Sequence, residues 1–238
     1  MTPEASAKIH LVPGTACDQR LWSKVTPHLQ NFELSFGSYE QASTLNEMVD
    51  HVAEHAPGNG HIVGFSLGGY LAAEAALAGK IKPTSLTLIA ASLTGLSQHE
   101  KSLRRANAAA VLKETYKGMS RRRLAQFVHP DHMHTRAITD VILAMEQDTV
   151  RENLHNQLLA TIDRRDLTDL LPRLEMPIHL IGATEDAIAD MAPMQELSHE
   201  MHIQFSHIDA TIATTGHMMP LEAPEALAKS LTGFFSNA

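Results

Sequence analysis

Short apolar runs alternate with segments of helical periodicity along most of this chain. Lys8 to Val12 reads as a strand ended by Pro13-Gly14. Leu21, Trp22, Val25 and Leu29 make an apolar stripe that predicts a helix over Gln19 to Leu29. Asn31 to Phe36 reads as a second strand. Thr44 can cap a helix running to His55, because Glu47 stands three residues on and completes a capping box. His61 to Phe65 reads as a strand, and Leu67 to Ala78 as a helix stopped by Gly79. Ser85 to Ala90 has the composition of another buried strand.

The pattern changes between residues 97 and 165, where helical periodicity continues without a convincing strand. Alternation resumes with a strand over Pro177 to Gly182, a helix over Pro193 to His199 and a strand over His202 to Ile208. An amphipathic helix from Pro224 to Phe235 closes the chain, with proline acceptable in its first turn. Strands alternating with helices imply an α/β fold built on a mainly parallel sheet. Ligands of such sheets bind at the carboxyl ends of the strands. We therefore expect a core of residues 1–96 and 166–238, with residues 97–165 inserted as a helical cap.

Charge sharpens this division. The chain of 238 residues carries a formal net charge of −8. Yet residues 97–165 hold twelve of the 19 Lys and Arg and only eight of the 27 Asp and Glu. That block is thus positive inside an acidic protein. Its charges can be a solvated helix face, or they can help to hold an anionic substrate. The overall balance does not favour nucleic acid or an acidic membrane surface as partner. One cysteine, Cys17, excludes an internal disulfide. No apolar run approaches the ~20 residues of a membrane span, and residues 1–8 lack the apolar core of a signal peptide. The expectation is a cytoplasmic monomer or homodimer acting on a small molecule.

The candidate chemistry centres on Gly64-Phe65-Ser66-Leu67-Gly68, a G-x-S-x-G pattern between a strand and a helix. A sharp turn there can expose a serine hydroxyl as a nucleophile, and glycines on either side avoid collisions. A serine needs a base and an orienting acid, in the chain order Ser, Asp or Glu, His. The strand ending at Gly182 leads into Thr184-Glu185-Asp186, and Gly216-His217 precedes the closing helix. Asp186 is the expected acid, with Glu185 as its alternative, and His217 the expected base. The loop after Ala90 reads Ala91-Ser92-Leu93-Thr94 and supplies no carboxylate. The N–H groups of Thr15 and Leu67 are placed to receive an oxyanion.

These residues give the chain a resemblance to the α/β-hydrolase superfamily. It resembles that family at Gly64–Gly69, Gly182–Asp186 and Gly216–Pro224, and is most similar to its small esterase, enol-lactonase and menaquinone-biosynthesis branch. The resemblance implies a sheet of about six strands flanked by helices, lacking the family's first hairpin, and a catalytic set of Ser66, Asp186 and His217 with no metal or organic cofactor. Many members carry His-Gly where this chain has Pro13-Gly14. The expected reaction is hydrolysis of a small ester, thioester or lactone through an acyl-enzyme on Ser66. Two alternatives are carbon–carbon bond cleavage or elimination on an anionic substrate, and a receptor that keeps the scaffold without turnover.

Other residues admit a functional and a plain reading. His129, His132 and His134 could converge on a divalent ion, but Pro130 and the short spacing favour a cap loop. Arg121-Arg122-Arg123 reads as a solvated helix face or an anion site. Arg164-Arg165-Asp166 suggests an ion pair where the block returns to the core. Cys17 is either a reactive thiol or a small residue lining the pocket.

Overall fold

Lys8–Val12 (β1) pairs in parallel with Glu33–Phe36 (β2) on one side and His61–Phe65 (β3) on the other in the computed structural model. Ser85–Ile89 (β4), Ile178–Gly182 (β5) and Ile203–His207 (β6) extend the sheet, giving six parallel strands in the order β2-β1-β3-β4-β5-β6. The structure describes residues 7–200, 202–207 and 214–238. Ile208, the expected end of the last strand, lies outside them.

Side chains of successive strand residues point to opposite faces, and the sheet builds a core on each. One face carries Ile62, Leu86, Leu88 and Leu180 against the helices Leu45–His55 (α1) and Leu67–Leu77 (α2). The other carries Ile9, Leu11, Val63 and Ile181. Both β3 and β4 are buried along their whole length, which is why they read as unbroken apolar runs. The capping box of Thr44 and Glu47 is present at the start of α1.

Between β4 and β5 the described residues form helices and no strand: Gln98–Val111 (α3), Arg121–Leu124 (α4), Arg136–Asp148 (α5) and Arg151–Ala160 (α6). A second capping box, Ser97 with Glu100, starts α3. After β5 come Ala192–Glu196 (α7), then Met219–Glu222 (α8) and Pro224–Phe235 (α9). The apolar stripe of α9 (Leu227, Ala228, Leu231, Phe234) packs under the second face.

The helix expected over Gln19 to Leu29 is instead two short 3₁₀ turns, Gln19–Trp22 and Thr26–His28. Pro27 has no N–H to give and disfavours α conformation in the residue before it. The apolar stripe is real, since Leu21, Trp22, Val25 and Leu29 are all fully buried. Likewise the helix expected to His199 is α-helical only to Glu196 and ends in a 3₁₀ turn. No helix among the described residues is long and apolar enough to cross a membrane.

Candidate active site

Ser66 occupies the tight turn between β3 and α2 with φ +51° and ψ −117°. That conformation costs a non-glycine residue about 1–3 kcal/mol, so its surroundings must hold it. The Ser66 N–H donates to the Ile89 carbonyl at 2.8 Å, and its carbonyl accepts from the N–H groups of Gly69 and Tyr70. Gly64 and Gly68 are required by crowding. A methyl at Gly64 would stand 2.5 Å from the Cα of Gly69, and one at Gly68 would strike the carbonyl oxygen of Pro13.

His217 Nε2 lies 3.1 Å from Ser66 Oγ, and its Nδ1 lies 2.8 Å from Asp186 Oδ2. Asp186 and His217 are both buried. The second carboxylate oxygen of Asp186 accepts from the N–H groups of Ile188 at 2.8 Å and Ala189 at 3.0 Å. These bonds aim Oδ2 at the imidazole. The sequence left two adjacent carboxylates as candidates for this position. Asp186 reaches His217, whereas Glu185 turns away to His129 Nε2 at 2.8 Å.

The loop bearing His217 is held from two sides. Phe127, in the helical segment, offers one carbonyl to the N–H groups of His217 and Met218. Its ring lies 5.7 Å from the imidazole, and that of Phe65 lies 5.0 Å away on the turn. The fully buried Glu222 side chain supports the loop from beneath. Its Oε1 accepts from Gly216 and Met218, on either side of His217, while Oε2 accepts from the His129 N–H and stands 3.1 Å from His132 Nδ1. Sequence reasoning missed Glu222. The available signal was a lone carboxylate in an otherwise apolar stretch, Met218 to Pro224. Two histidines considered as metal ligands are thus engaged with carboxylates of the Asp186 and His217 loops.

Thr15 and Leu67 border the same cavity as Ser66 and His217. Among the described residues, no hydrogen bond uses the N–H of either. The loop carrying Thr15 is fixed by its neighbours: the Ala16 N–H donates to Gln157 Oε1 at 3.0 Å, and Tyr39 Oη donates to the Pro13 carbonyl at 3.0 Å. Cys17 is also at the cavity, but burial, with the Asp18 charge next, pushes its thiol up to about 12. It is therefore a protonated lining group at neutral pH.

The cavity over Ser66 has a volume of about 400 Å³. Its apolar wall includes Val111, Met119, Ile142, Leu154 and Leu158 from the helical segment. Arg104 and Arg123 line it too, and a second cavity of about 530 Å³, also bordered by Ser66 and His217, is lined by Arg104, Arg123 and Arg164 together with Glu100. Arg165, next in sequence, points to the core instead and forms a two-pronged ion pair with Glu74 of α2 at 2.9 and 2.7 Å. That is the ion pair expected where the segment returns.

The alpha/beta hydrolase family profile matches residues 11–230, and the chain belongs to that family. No curated protein matches the sequence. Among solved structures, a thermophilic esterase from Thermogutta terrifontis with malate bound is similar at TM-score 0.84 and 21% identity, over 98% of this chain and 90% of that one. The enol-lactonase from Burkholderia xenovorans LB400 is similar at TM-score 0.82 and 17% identity, over 99% and 94%. A hydrolase from Pseudomonas aeruginosa PA01 gives TM-score 0.81 and 20% identity, over 97% and 90%. At these identities the likeness is one of fold.

Proposed function

We propose that this protein is a serine hydrolase that cleaves a small carboxylic ester, thioester or lactone through an acyl-enzyme on Ser66. The observation that carries the reading is the unbroken chain Ser66 Oγ–His217–Asp186, at 3.1 and 2.8 Å, opening on a cavity. Esterase and enol-lactonase folds among its structural neighbours agree with it.

In this reading Ser66 Oγ attacks the carbonyl carbon while its proton passes to His217 Nε2. Asp186 holds Nδ1–H and stabilises the imidazolium. The negative oxygen of the tetrahedral intermediate takes the N–H groups of Thr15 and Leu67, which have no hydrogen-bond partner among the described residues. Collapse expels the alcohol, thiol or lactone oxygen, which receives the proton from Nε2. Water, deprotonated by the same imidazole, then attacks the acyl-Ser66 ester and releases the acid. Residues 97–165 act as the cap, supplying the apolar wall that receives the substrate.

The test is hydrolysis of p-nitrophenyl esters of graded chain length. Ser66→Ala should lower turnover by up to ~10⁶-fold, and a fluorophosphonate should label Ser66 of the unaltered protein. Retention of turnover by Ser66→Ala would sink the mechanism.

A further inference from the structure

We infer that Arg104 and Arg164, with Arg123 at the rim, form a binding site for a carboxylate carried by the substrate at a distance from the bond that is cut. The natural substrate is then an ester or lactone of a dicarboxylic acid. This rests on the reading of Ser66 as nucleophile and names the class of molecule it attacks.

The three guanidinium groups come from separate parts of the chain: α3, α4 and the stretch after α6. They meet in the second cavity bordered by Ser66 and His217. Arg164 is buried, with 7% of its surface exposed. Among the described residues no carboxylate oxygen lies within the 4.0 Å of an ion pair from any of them. Neighbouring arginines show the contrast: Arg20 pairs with Asp18 and Asp148, and Arg165 with Glu74.

Their own contacts are neutral. Arg104 Nη1 donates to Thr161 Oγ1 at 2.6 Å, and Arg164 Nε donates to the Thr94 carbonyl at 3.2 Å. Arg123 donates to Gln126 and lies over the Phe127 ring, 4.7 Å from its centre. Arg164 lies 5.1 Å from the centre of the Tyr70 ring. These contacts fix the planes of the groups without pairing them to a carboxylate, and a guanidinium has five N–H donors to share.

The nearby acids are committed elsewhere. Glu100 lines the same cavity and its charge acts on Arg104 and Arg164, but its carboxylate accepts from the Ser97 N–H at 2.7 Å and makes no ion pair with either. Glu146 accepts from Tyr116 Oη and the Met119 N–H, and Asp166 accepts from Thr168. Burial, followed by the charge of Arg164, pushes Arg104 down to about 10, and burial lowers Arg123 and Arg164 as well. Clustered cations that burial disfavours are relieved when an anion arrives. The guanidinium fork matches a planar carboxylate. The other cavity at Ser66 supplies the apolar wall, so the two together suit a short carbon chain ending in a charge.

Two substrates of equal chain length separate this from a purely apolar pocket: p-nitrophenyl hexanoate and mono-p-nitrophenyl adipate. The unaltered protein should show the higher kcat/KM on the adipate monoester. Arg104→Gln and Arg164→Gln should each lower the adipate-to-hexanoate ratio by about 10-fold or more, mostly through KM, and Arg164→Lys should recover part of it. Free adipate should inhibit hexanoate cleavage competitively, whereas hexane-1,6-diol should not. That arm needs no variant to fold. A ratio at or below one in the unaltered protein, a ratio unmoved by both glutamine variants, or no inhibition by adipate would each overturn the inference. If Ser66→Ala still cleaves both esters, the nucleophile assignment fails instead. Calorimetry of adipate with that variant, with and without Arg164→Gln, then still reads the anion site directly.

Discussion

His129 Nε2 stands 2.8 Å from Glu185 Oε2, so the helical segment is fastened to the residue beside Asp186. The Glu185 side chain is largely exposed, which limits the strength of the bond to about 1 kcal/mol or less. Glu185→Ala should therefore change the denaturation midpoint little. It should instead loosen the segment locally, and amide hydrogen exchange around residues 124–133 should quicken. Unchanged exchange there would mean that the Phe127 and Glu222 contacts suffice.

Glu222 is the stronger fastening. Its removal strands buried backbone donors, each at about 1–3 kcal/mol. Glu222→Ala should lower stability by several kcal/mol in denaturant titrations. Glu222→Gln keeps one acceptor oxygen and should fall between. In variants that remain folded, fluorophosphonate labelling of Ser66 should slow, because the His217 loop is no longer held on both sides.

The two adjacent carboxylates should differ sharply in kinetics. Asp186→Asn replaces the oxygen that receives Nδ1–H and should lower kcat by about 10³–10⁴-fold. Glu185→Gln should stay within about threefold, since it touches His129 rather than His217. Comparable losses from both would show that the loop's fold, rather than one carboxylate, is what matters.

Cys17 should resist alkylation. With its thiol pushed up to about 12 by burial, iodoacetamide at pH 8 should label it only in denaturant. Rapid labelling of the folded protein would contradict that environment.

Stability should fall in mild acid. Burial lowers both His10 and His179 from 6.5 to about 4, with the His55 charge adding to the effect on His10. Below 6.5 the unfolded chain binds protons that the folded protein refuses. Stability is thus full above about 6.5 and declines as pH falls toward 4. The urea midpoint should drop over that interval and stay level between pH 7 and 8.5. A flat midpoint down to pH 4.5 would contradict it.

Most of the sheet is readable in the sequence because β1, β3, β4 and β5 are buried nearly throughout, leaving mainly apolar runs. The capping box at Thr44 is a local, four-residue signal and is read directly, whereas the one at Ser97 has the same form and sequence reasoning missed it. Ser66, Asp186 and His217 are legible because each follows a strand. What escapes is whatever depends on partners remote in sequence. Arg164 and Arg165 are indistinguishable as letters, yet one meets Glu74, 91 positions away, and the other faces the cavity. His129 and His132 resemble metal ligands until Glu185 and Glu222 are brought to them. The 3₁₀ turns at Gln19–His28 were masked by a helical stripe that Pro27 breaks.

The carbonyl of Phe127 gives the chain an unexpected indivisibility. It lies in the helical segment, yet it secures the backbone on which the imidazole is mounted. A shortened protein, cut to the sheet and its flanking helices, would not be a permissive version of the same catalyst. It would have its serine in place and its histidine adrift. Segment exchange between relatives should accordingly carry residues 127–132 together with 216–222, as one transplantable joint.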